Sequence, residues 1–430
     1  MSDVLDELVR DQKAGVAHGI ASVCSAHPLV LEAAVLQARE TGRPLLVEAT
    51  SNQVDQYGGY TGMRPAQFRD LVYATADRFG LARERVVLGG DHLGPNRWRD
   101  RPADAAMTEA EGLVRAYVEA GFTKIHLDCS FACAGETLPL SDEVVAARTV
   151  RLVRAAEETA GSGAHRLRYV IGTEVPVPGG ADHVLQDVPP TPAAAARRTL
   201  DTHRDAFTAA DLAPAWQRVM ALVVQPGVEF DHHGVVDYRA DRTAALRDVL
   251  DHEPRIVFEA HSTDYQLTSS LANLVHDHWA ILKVGPGLTF ALREALFALA
   301  AIEREVVPAT RLSHLVDVVD RRMREEPGWW QGYADGDARA QRLSRLYGFS
   351  DRVRYYWTDP EILTAQQRLL DNLEGDALPL PLLSAHLPLQ YARVRSGFLA
   401  PRPHDILVDR VRDVLRDYDR ACVPRSKEYA

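Results

Sequence analysis

Eight short apolar segments recur along about the first 300 residues, and stretches with helical character separate them. The clearest segment is Val86–Leu88, which runs into Gly89-Gly90 and then directly into Asp91 and His92. An unbroken apolar run is typical of a strand that is buried on both faces, as in a parallel sheet. The glycines let the backbone turn or approach a neighbour closely. The Asp-His pair is therefore expected at the carboxyl end of a strand, where α/β folds place their functional residues.

The regular alternation of strands and helices predicts the fold class. Eight strand–helix units in about 300 residues match the size of a (βα)8 barrel, or TIM barrel. A doubly wound open sheet is the alternative, but it predicts a glycine-rich phosphate-binding turn after the first strand, and none is present there. We therefore predict an α/β chain in which residues 1–303 form a TIM barrel. The predicted strands are His18–Ser25, Pro44–Thr50, the segment from Val86, Lys124–Asp128, Arg168–Glu174, Ala221–Gly227, Ile256–Asp264 and Ala280–Gly287.

Beyond the barrel, the apolar strand pattern stops. Residues 304–430 contain the aromatic stretches Trp329-Trp330 and Arg354–Trp357, followed by a charged segment, Asp405–Arg420, that is predicted to be helical. We predict a helical C-terminal extension that packs on the barrel. Its aromatic residues are expected to be packing anchors rather than a substrate site, and a role in contacts between subunits is left open.

The composition excludes several classes of function. The formal net charge of -11 argues against a nucleic-acid-binding protein, because such a protein needs a basic surface. The sequence shows no signal peptide and no apolar run of the roughly 18 residues that a membrane helix needs. The four cysteines are too few and too scattered for a disulfide framework. We therefore expect a cytoplasmic protein that binds neither nucleic acid nor membrane.

Polar residues follow nearly every predicted strand, and the carboxyl ends of the strands converge on one mouth in a barrel. Each of these residues has a structural explanation when taken alone, since Asp and Ser cap helices and a buried His or Lys can be paired. Together, however, several carboxylates in one cleft raise one another's pKa unless positive charge lies among them. Lys283 supplies one such charge, and a divalent cation would supply more. The residues at the mouth are Ser25, Glu48, Asp91, His92, Asp128, Glu174, Gln225, His261, Asp264 and Lys283.

A metal site is predicted from the same set. His92, Glu174 and His261 come from three different strands, as an open catalytic site with three protein ligands requires. The adjacent His232 and His233 are rivals for a ligand position, and Asp128 is another. The identity of the divalent metal ion, whether Zn, Mn, Co, Ni or Mg, is left open.

Such a mouth is suited to aldol chemistry. A metal ion that polarises a ketone stabilises an enediolate, and a nearby carboxylate can take the proton from the hydroxyl on the carbon that is released. If the released aldehyde turns over before it adds again, the same site inverts that carbon. The predicted catalytic residues are Asp91 as acid/base, Asp128 or Glu174 as the second such group, and Lys283 as a cation. The predicted substrate contacts are Ser25, Glu48, Asn52, Gln225 and Asp264, with a phosphate near Gly285 and Thr289 at a helix start.

Long motifs of this sequence resemble a known family. They are Cys24–Ala33, Glu48–Gln53, Gly58–Met63, Gly89–Trp98, Lys124–Ser130, Gly172–Gly180, Phe258–Gln266, Leu282–Pro286, Leu288–Phe297 and Arg354–Trp357. The family is that of the non-catalytic subunit of class II D-tagatose-1,6-bisphosphate aldolase. The resemblance covers nearly the whole chain, and Asp55 is a minor departure, at a position where the family is expected to have Asn.

The resemblance implies a TIM barrel, a role in sugar-phosphate metabolism and, in some members, partnership with a separate catalytic aldolase chain. It also implies interconversion of tagatose and fructose 6-phosphates by epimerisation at carbon 4 in some members. Asp91-His92 is similar to the Asp-His pair of catalytic class II aldolases, in which the Asp is the acid/base and the His binds zinc. A non-catalytic protein could lose these groups, yet the acids, imidazoles and Lys283 are all in place.

Three functions remain open on the sequence alone. The favoured one is a metal-dependent ketose-phosphate 4-epimerase that acts by aldol cleavage and re-addition. The alternative is a supporting subunit of an aldolase complex that catalyses nothing itself. A sugar-phosphate sensor is the third, and self-association of the chain is left open.

Overall fold

Strands and helices alternate along the barrel in a computed structural model that describes residues 4–172, 181, 185, 187–375 and 378–423. The strands are β1 (Ile20–Val23), β2 (Leu45–Thr50), β3 (Val86–Leu93), β4 (Lys124–Leu127), β5 (Arg168–Gly172), β6 (Val219–Val223), β7 (Glu229–Phe230), β8 (Val235–Val236), β9 (Val257–Ala260) and β10 (Trp279–Val284). Eight of them pair in parallel and close into a barrel in the order β1-β10-β9-β6-β5-β4-β3-β2, while β7 and β8 form a small antiparallel hairpin. The predicted TIM barrel is confirmed.

Helices surround the barrel and continue beyond its last strand. They are α1 (Val4–Lys13), α2 (Pro28–Thr41), α3 (Pro65–Phe79), α4 (Ala103–Glu119), α5 (Asp142–Ala160), α6 (Ala193–Ala209), α7 (Ala213–Trp216), α8 (Ala244–Arg247), α9 (Thr268–His276), α10 (Pro286–Val306), α11 (Leu315–Glu325), α12 (Ala338–Tyr347), α13 (Pro360–Leu373), α14 (Leu380–His386), α15 (Pro388–Arg395) and α16 (Pro403–Cys422). None of the helices in these described ranges is long and apolar enough to cross a membrane.

One end of the barrel is closed by α1. Its buried residues Leu5, Leu8 and Val9 recur at helical spacing, so they lie on one face of the helix. They pack in one apolar cluster with strand residues such as Leu46 and Val170. The amino-terminal end of the barrel is therefore a dry apolar core, and the polar residues of the strands are left to the opposite end.

A layer of charged side chains lies inside the barrel above this apolar core. Glu48 of β2 faces Gly89 of β3, which in turn pairs with Lys124 of β4. A Cβ atom on Gly89 would lie only 2.6 Å from Cγ of Glu48, so the glycine leaves the space that the glutamate side chain fills. The double glycine of β3 therefore has a packing role next to the candidate site.

The residues after the barrel are helical, as predicted, and they lie against it. The predicted boundary at residue 303 falls within the last turns of α10, and α16 packs on α2, α9 and α10. The hydroxyl of Tyr418 on α16 donates a hydrogen bond of 2.8 Å to the carbonyl oxygen of Thr263, in the loop after β9. A short 3-10 helix, Arg352–Tyr356, lies at the mouth of the barrel, so the extension contributes side chains there.

Candidate active site

Three histidine side chains meet at the mouth of the barrel. His92 lies on β3, His126 on β4 and His261 directly after β9, and their ring centroids are 4.8 to 5.2 Å apart. All three are buried. His92 has a φ of 49°, in the left-handed region, which costs a residue other than glycine about 1–2 kcal/mol. The surrounding fold maintains this strain, and strain of this kind often accompanies a functional site.

Asp91 is the carboxylate at the centre of the cluster. Its Oδ1 lies 2.7 Å from Nδ1 of His126 and 2.8 Å from Nζ of Lys283. Its Oδ2 lies 3.8 Å from Nε2 of His92 and 3.9 Å from Sγ of Cys24, and both of those residues line the cavity. Burial alone would raise the pKa of Asp91, but the nearby Lys283 and the histidines outweigh burial and hold it well below its usual value. Asp91 is therefore ionised at neutral pH, and one of its oxygens is available to a ligand.

Two lysines neutralise the carboxylates below Asp91. Lys283 lies 2.7 Å from Oε2 of Glu48 and 3.4 Å from Oε1 of Glu259, while Lys124 lies 2.7 Å from Oε1 of Glu48 and 2.6 Å from Oε2 of Glu259. Burial favours the neutral amine, but Asp91 and the glutamates outweigh it and raise the pKa of Lys283 well above its usual value. Lys283 is therefore a fixed cation at the floor of the cavity described below.

Four side chains form a group that could hold a metal ion. Asp91, His126, Glu259 and His261 each offer a ligand atom, and these atoms all lie within 4.8 Å of one another. Two imidazoles with carboxylates make a donor set that zinc and neighbouring divalent metals accept. Burial lowers the pKa of His261 to about 3, so its imidazole is neutral at pH 7, as a metal ligand must be.

One atom of this group tests the fit to a metal ion directly. Nε2 of His126 is buried and has no hydrogen-bond partner among the described residues. Nδ1 lies 2.7 Å from Oδ1 of Asp91, and an ionised carboxylate can only accept, so we assign the ring proton to Nδ1; the 3.1 Å contact of the His92 backbone N–H with Nδ1 is then not a hydrogen bond. The lone pair of Nε2 is then free. Metal-binding histidines typically donate their other N–H to a carboxylate in this way, so the residues fit a metal ion.

The third imidazole of the cluster, that of His92, is hydrogen-bonded to a different carboxylate. Its Nδ1 lies 2.8 Å from Oδ2 of Asp128, whose Oδ1 accepts a 2.7 Å hydrogen bond from the hydroxyl of Ser130. Burial would lower the pKa of His92, but Asp91 and Asp128 outweigh it and raise that pKa. Asp128 therefore orients His92 from behind, and it does not line the cavity.

A cavity of about 460 Å³ opens above this cluster. Asp91, His92, His261 and Lys283 form its polar floor. Its other walls are more apolar, and part of them comes from the C-terminal extension. The residues of these walls that matter below are Tyr60, Arg354, Tyr355 and Trp357. Tyr355 and Trp357 line the cavity, a role not expected for the aromatic residues of the extension. Trp357 is also buried in the core with Trp330 and Tyr356, so these three residues have the expected packing role.

The structure brings most of the residues predicted for the site to this cavity. Ser25, Asn52, Asp264, Gly285 and Thr289 line it, as do the floor residues named above, and Glu48 lies beneath it as a partner of Lys283. Glu174, which was predicted both as a metal ligand and as an acid/base, lies outside the described residues.

Two predicted residues lie elsewhere. Nδ1 of His232 is 2.6 Å from the hydroxyl of Ser350, and its ring stacks on Tyr333 of the extension, so His232 is a packing residue between the barrel and the extension. Gln225 accepts hydrogen bonds of 2.8 and 2.9 Å from the N–H groups of Gly227 and Val228, which shapes the loop after β6. Neither side chain lines the cavity.

Sequence reasoning missed His126, Glu259 and Lys124. Only the residue at each strand exit was considered, although side chains two residues apart on a strand share a face. His126 lies two residues before Asp128, and Glu259 lies two residues before His261. This spacing was the signal that could have identified both as neighbours of the predicted site.

Fold and site together define a TIM-barrel protein with a buried cluster of His, Asp, Glu and Lys side chains at its mouth. A family model described as "D-tagatose-1,6-bisphosphate aldolase subunit GatZ/KbaZ-like" matches residues 5–423. The chain belongs to this family, which places it in sugar-phosphate metabolism. The resemblance found in the sequence is confirmed.

Known structures add a close relative and two distant ones. A protein described as a probable tagatose 6 phosphate kinase from Sinorhizobium meliloti 1021 is 48% identical, with a TM-score of 0.87 over 94% of this chain and 100% of that chain. The YdjI aldolase from Escherichia coli K12 is 11% identical over 90% of this chain and 98% of its own, with a TM-score of 0.42. Fructose-bisphosphate aldolase from Campylobacter jejuni is 13% identical over 86% and 92%, also with a TM-score of 0.42. Scores this low support no functional conclusion.

Removal of one imidazole tests the candidate metal site. We expect His126→Gln to weaken the binding of Zn or Co by about 10- to 100-fold or more, because loss of an outer partner alone has an effect of that size. The measurement is a titration of the metal-free chain with the ion, monitored by isothermal calorimetry. His203→Gln is the matched control, since His203 is also buried with an Nε2 that lacks a described partner but lies on α6. Equal binding by His126→Gln and wild type would contradict the assignment.

Proposed function

We propose that this chain is itself an enzyme of aldol-type chemistry on ketose phosphates, and that its reaction is the 4-epimerisation of tagatose 6-phosphate to fructose 6-phosphate. The observation that carries the proposal is the state of Asp91. One of its oxygens is fixed by His126 and Lys283, and the other lies among cavity residues. An ionised carboxylate with one available oxygen is suited to accept and return a proton.

The reaction can be written with this chain's own residues. Asp91 accepts the proton of the C4 hydroxyl as the bond between C3 and C4 breaks. The bonding electrons pass into the enediolate of the C1–C3 fragment, and the C4–C6 fragment becomes an aldehyde. A divalent cation held by His126, His261 and a carboxylate would polarise the C2 carbonyl. The aldehyde fragment rotates in the cavity and presents its other face. The C3–C4 bond then re-forms, and Asp91 returns the proton to the C4 oxygen, so that only the configuration at C4 has changed.

Lys283 supports this reaction as a cation and not as a nucleophile. A lysine that attacks a ketone to form a Schiff base must lose its proton first. Lys283 contacts three carboxylates within 3.4 Å, and they favour the protonated amine. Its charge is positioned to stabilise negative charge that develops on a substrate oxygen.

The names of the relatives agree on a class of substrate. The family description names an aldolase subunit for tagatose 1,6-bisphosphate, and the Sinorhizobium protein is named for tagatose 6-phosphate. Both are phosphates of tagatose, although the reactions differ. The word "subunit" in the family description favours a second candidate function, in which the chain supports a separate catalytic aldolase chain. That function would require a partner chain, but it would not require an ionised Asp91 held by His126 and Lys283.

A turnover assay distinguishes the two functions. The purified chain is stripped of metal, supplied separately with Mg, Mn, Zn, Co or Ni, and incubated with tagatose 6-phosphate or tagatose 1,6-bisphosphate. We expect metal-dependent formation of fructose 6-phosphate by the chain alone. Triose phosphates from the bisphosphate would indicate net cleavage by the same site. Product that forms only after a catalytic aldolase chain is added would establish the supporting role.

A further inference from the structure

The backbone N–H groups at the helix start where a phosphate was expected already donate hydrogen bonds to a carboxylate of the protein. Oδ1 of Asp264 accepts hydrogen bonds of 2.9 Å from the N–H of Gly285 and 2.7 Å from the N–H of Gly287, at the start of α10. Burial raises the pKa of Asp264 to about 6, so its carboxylate is still largely ionised at pH 7. A phosphate at this helix start would have to displace or face a fixed negative charge. The anionic end of a sugar phosphate therefore needs another partner in the cavity.

Asp351 is also engaged. Its carboxylate accepts hydrogen bonds of 2.8 Å from Nε of Arg293 and 2.6 Å from the hydroxyl of Thr289. Arg293 on α10 is thus a buried arginine with its own carboxylate, and it forms a closed ion pair beneath the extension. Asp351 still attracts the guanidinium of Arg354 at a distance, but among the described residues its direct ion pair is with Arg293.

Two neighbouring arginines of the extension have no direct carboxylate partner among the described residues. Arg354 donates to the carbonyl oxygens of Ser350 and Asp351 and, at 3.0 Å, to the hydroxyl of Tyr355, so two of the five N–H groups of its guanidinium lack a described partner. Arg352 is 3% exposed, contacts the same hydroxyl at 3.5 Å, and has an Nε and an Nη2 without a hydrogen bond. Arg352 is a buried cation and Arg354 is half-buried; a buried cation without a counterion is costly, and an anion bound beside the two arginines would offset that cost.

The pKa of Tyr355 reflects the positive charge of Arg352 and Arg354. Burial would raise the pKa of its phenol, but Arg354 and Arg352 on either side outweigh burial and lower it. The hydroxyl accepts from both guanidinium groups. Tyr60 packs edge-on against the Tyr355 ring, with centroids 4.9 Å apart, and Trp329 stacks on the Tyr355 ring and also contacts Tyr60. The aromatic contacts hold the hydroxyl and the two arginines in place.

We propose that the phosphate group of the sugar substrate binds to Arg354 and the hydroxyl of Tyr355 in the wall of the cavity, with Arg352 adding charge from behind. The proposal rests on the proposed function for the identity of the ligand as a sugar phosphate. Guanidinium groups suit phosphate, which carries close to two negative charges at neutral pH and accepts several hydrogen bonds. Arg354 and Asp91 line the same cavity, so the C-terminal extension completes the site.

Binding measurements test this assignment without any need for turnover. The probes are fructose 6-phosphate, unphosphorylated fructose and inorganic phosphate, titrated into the full chain by calorimetry. We expect Arg354→Gln to weaken fructose 6-phosphate and phosphate by about 30-fold or more, and to leave the weak binding of fructose unchanged. Arg354→Lys should recover part of the loss, and Arg352→Gln should weaken the same two probes by a smaller factor.

The matched control is Arg395→Gln on α15. Arg395 also lies over a tyrosine ring and contacts its hydroxyl, that of Tyr391, but it is exposed on the surface. It should bind all three probes as the wild type does. Equal weakening of fructose and fructose 6-phosphate by Arg354→Gln, or no weakening of either, would overturn the assignment, and so would a wild-type chain that binds neither phosphate probe.

The same variants separate this inference from the proposed reaction. If the wild-type chain epimerises no sugar but Arg354→Gln still weakens phosphate binding, the assignment of the phosphate site stands and the proposed reaction is wrong. If the wild-type chain epimerises tagatose 6-phosphate and the KM of Arg354→Gln is unchanged, the proposed reaction stands and the assignment of the phosphate site is wrong.

Discussion

Replacement of Asp91 by Asn is expected to lower turnover of tagatose 6-phosphate by about 10²- to 10⁴-fold, the usual contribution of a general acid/base. The amide has the shape of the carboxylate, but it cannot accept the C4 hydroxyl proton. His126 and His261 remain in place, but Asp91 is the carboxylate partner of His126, so metal affinity is expected to fall by about 10- to 100-fold and the variant is assayed at a saturating metal concentration. The measurement is kcat of the metal-loaded variant, with metal content determined on the same sample.

Asp277→Asn is the control for the Asp91 variant. Asp277 is also buried and also accepts hydrogen bonds, from the hydroxyl of Tyr238 and from Arg247, but it follows α9 and does not line the cavity. Its replacement should lower stability and leave kcat unchanged. Wild-type turnover by Asp91→Asn, or an equal loss in the Asp277 variant, would remove Asp91 from its assigned role.

The largest effect on stability is expected from Lys124→Met. Lys124 is fully buried, and its Nζ lies 2.7 Å from Glu48 and 2.6 Å from Glu259. Without it, three carboxylates, those of Glu48, Asp91 and Glu259, share only the charge of Lys283. Loss of one partner from a buried ion pair costs about 3–5 kcal/mol, so the free energy of unfolding should fall by that amount. The measurement is urea denaturation followed by circular dichroism.

A second replacement separates lost charge from lost packing. In the double variant Glu48→Gln and Lys124→Met, one negative charge is removed with the positive one, so the loss should be smaller than the sum of the two single losses. Lys13→Met is a control, because Lys13 is partly exposed and the hydrogen bond that its Nζ donates within the described ranges is to the carbonyl oxygen of Leu250, a contact worth about 1 kcal/mol. A Lys124→Met chain as stable as the wild type would show that the buried charges are not coupled as described.

The fold could be predicted from the sequence because local signals and the global pattern agree. α3, for example, runs over Pro65–Phe79 because Pro65 occupies its first turn and Gly80 ends it with a positive φ of 74°, and both signals are readable in the sequence. The apolar runs of the strands are long enough to mark each barrel strand, although strand ends differ by a few residues. β4, for example, ends at Leu127, one residue before the predicted end at Asp128.

The site was only partly predictable. Asp91, His261 and Lys283 meet as expected, because each is at or next to the carboxyl end of a barrel strand. His232 could not be placed from the sequence, since its position depends on a contact with Ser350, which lies 118 residues further along the chain. Arg354 and Tyr355 reach the cavity through the packing of the extension, which no periodicity along the chain specifies.

The most direct test of the central claim is proton NMR of the metal-loaded chain alone with tagatose 6-phosphate in D₂O. Cleavage and re-formation of the C3–C4 bond leave the hydrogen on C4 in place, so the account predicts fructose 6-phosphate that carries no deuterium at C4. Deuterium at C4 would show inversion by removal of that hydrogen and would contradict the aldol mechanism. The absence of any fructose 6-phosphate from the fully loaded chain would contradict its role as an enzyme for this reaction.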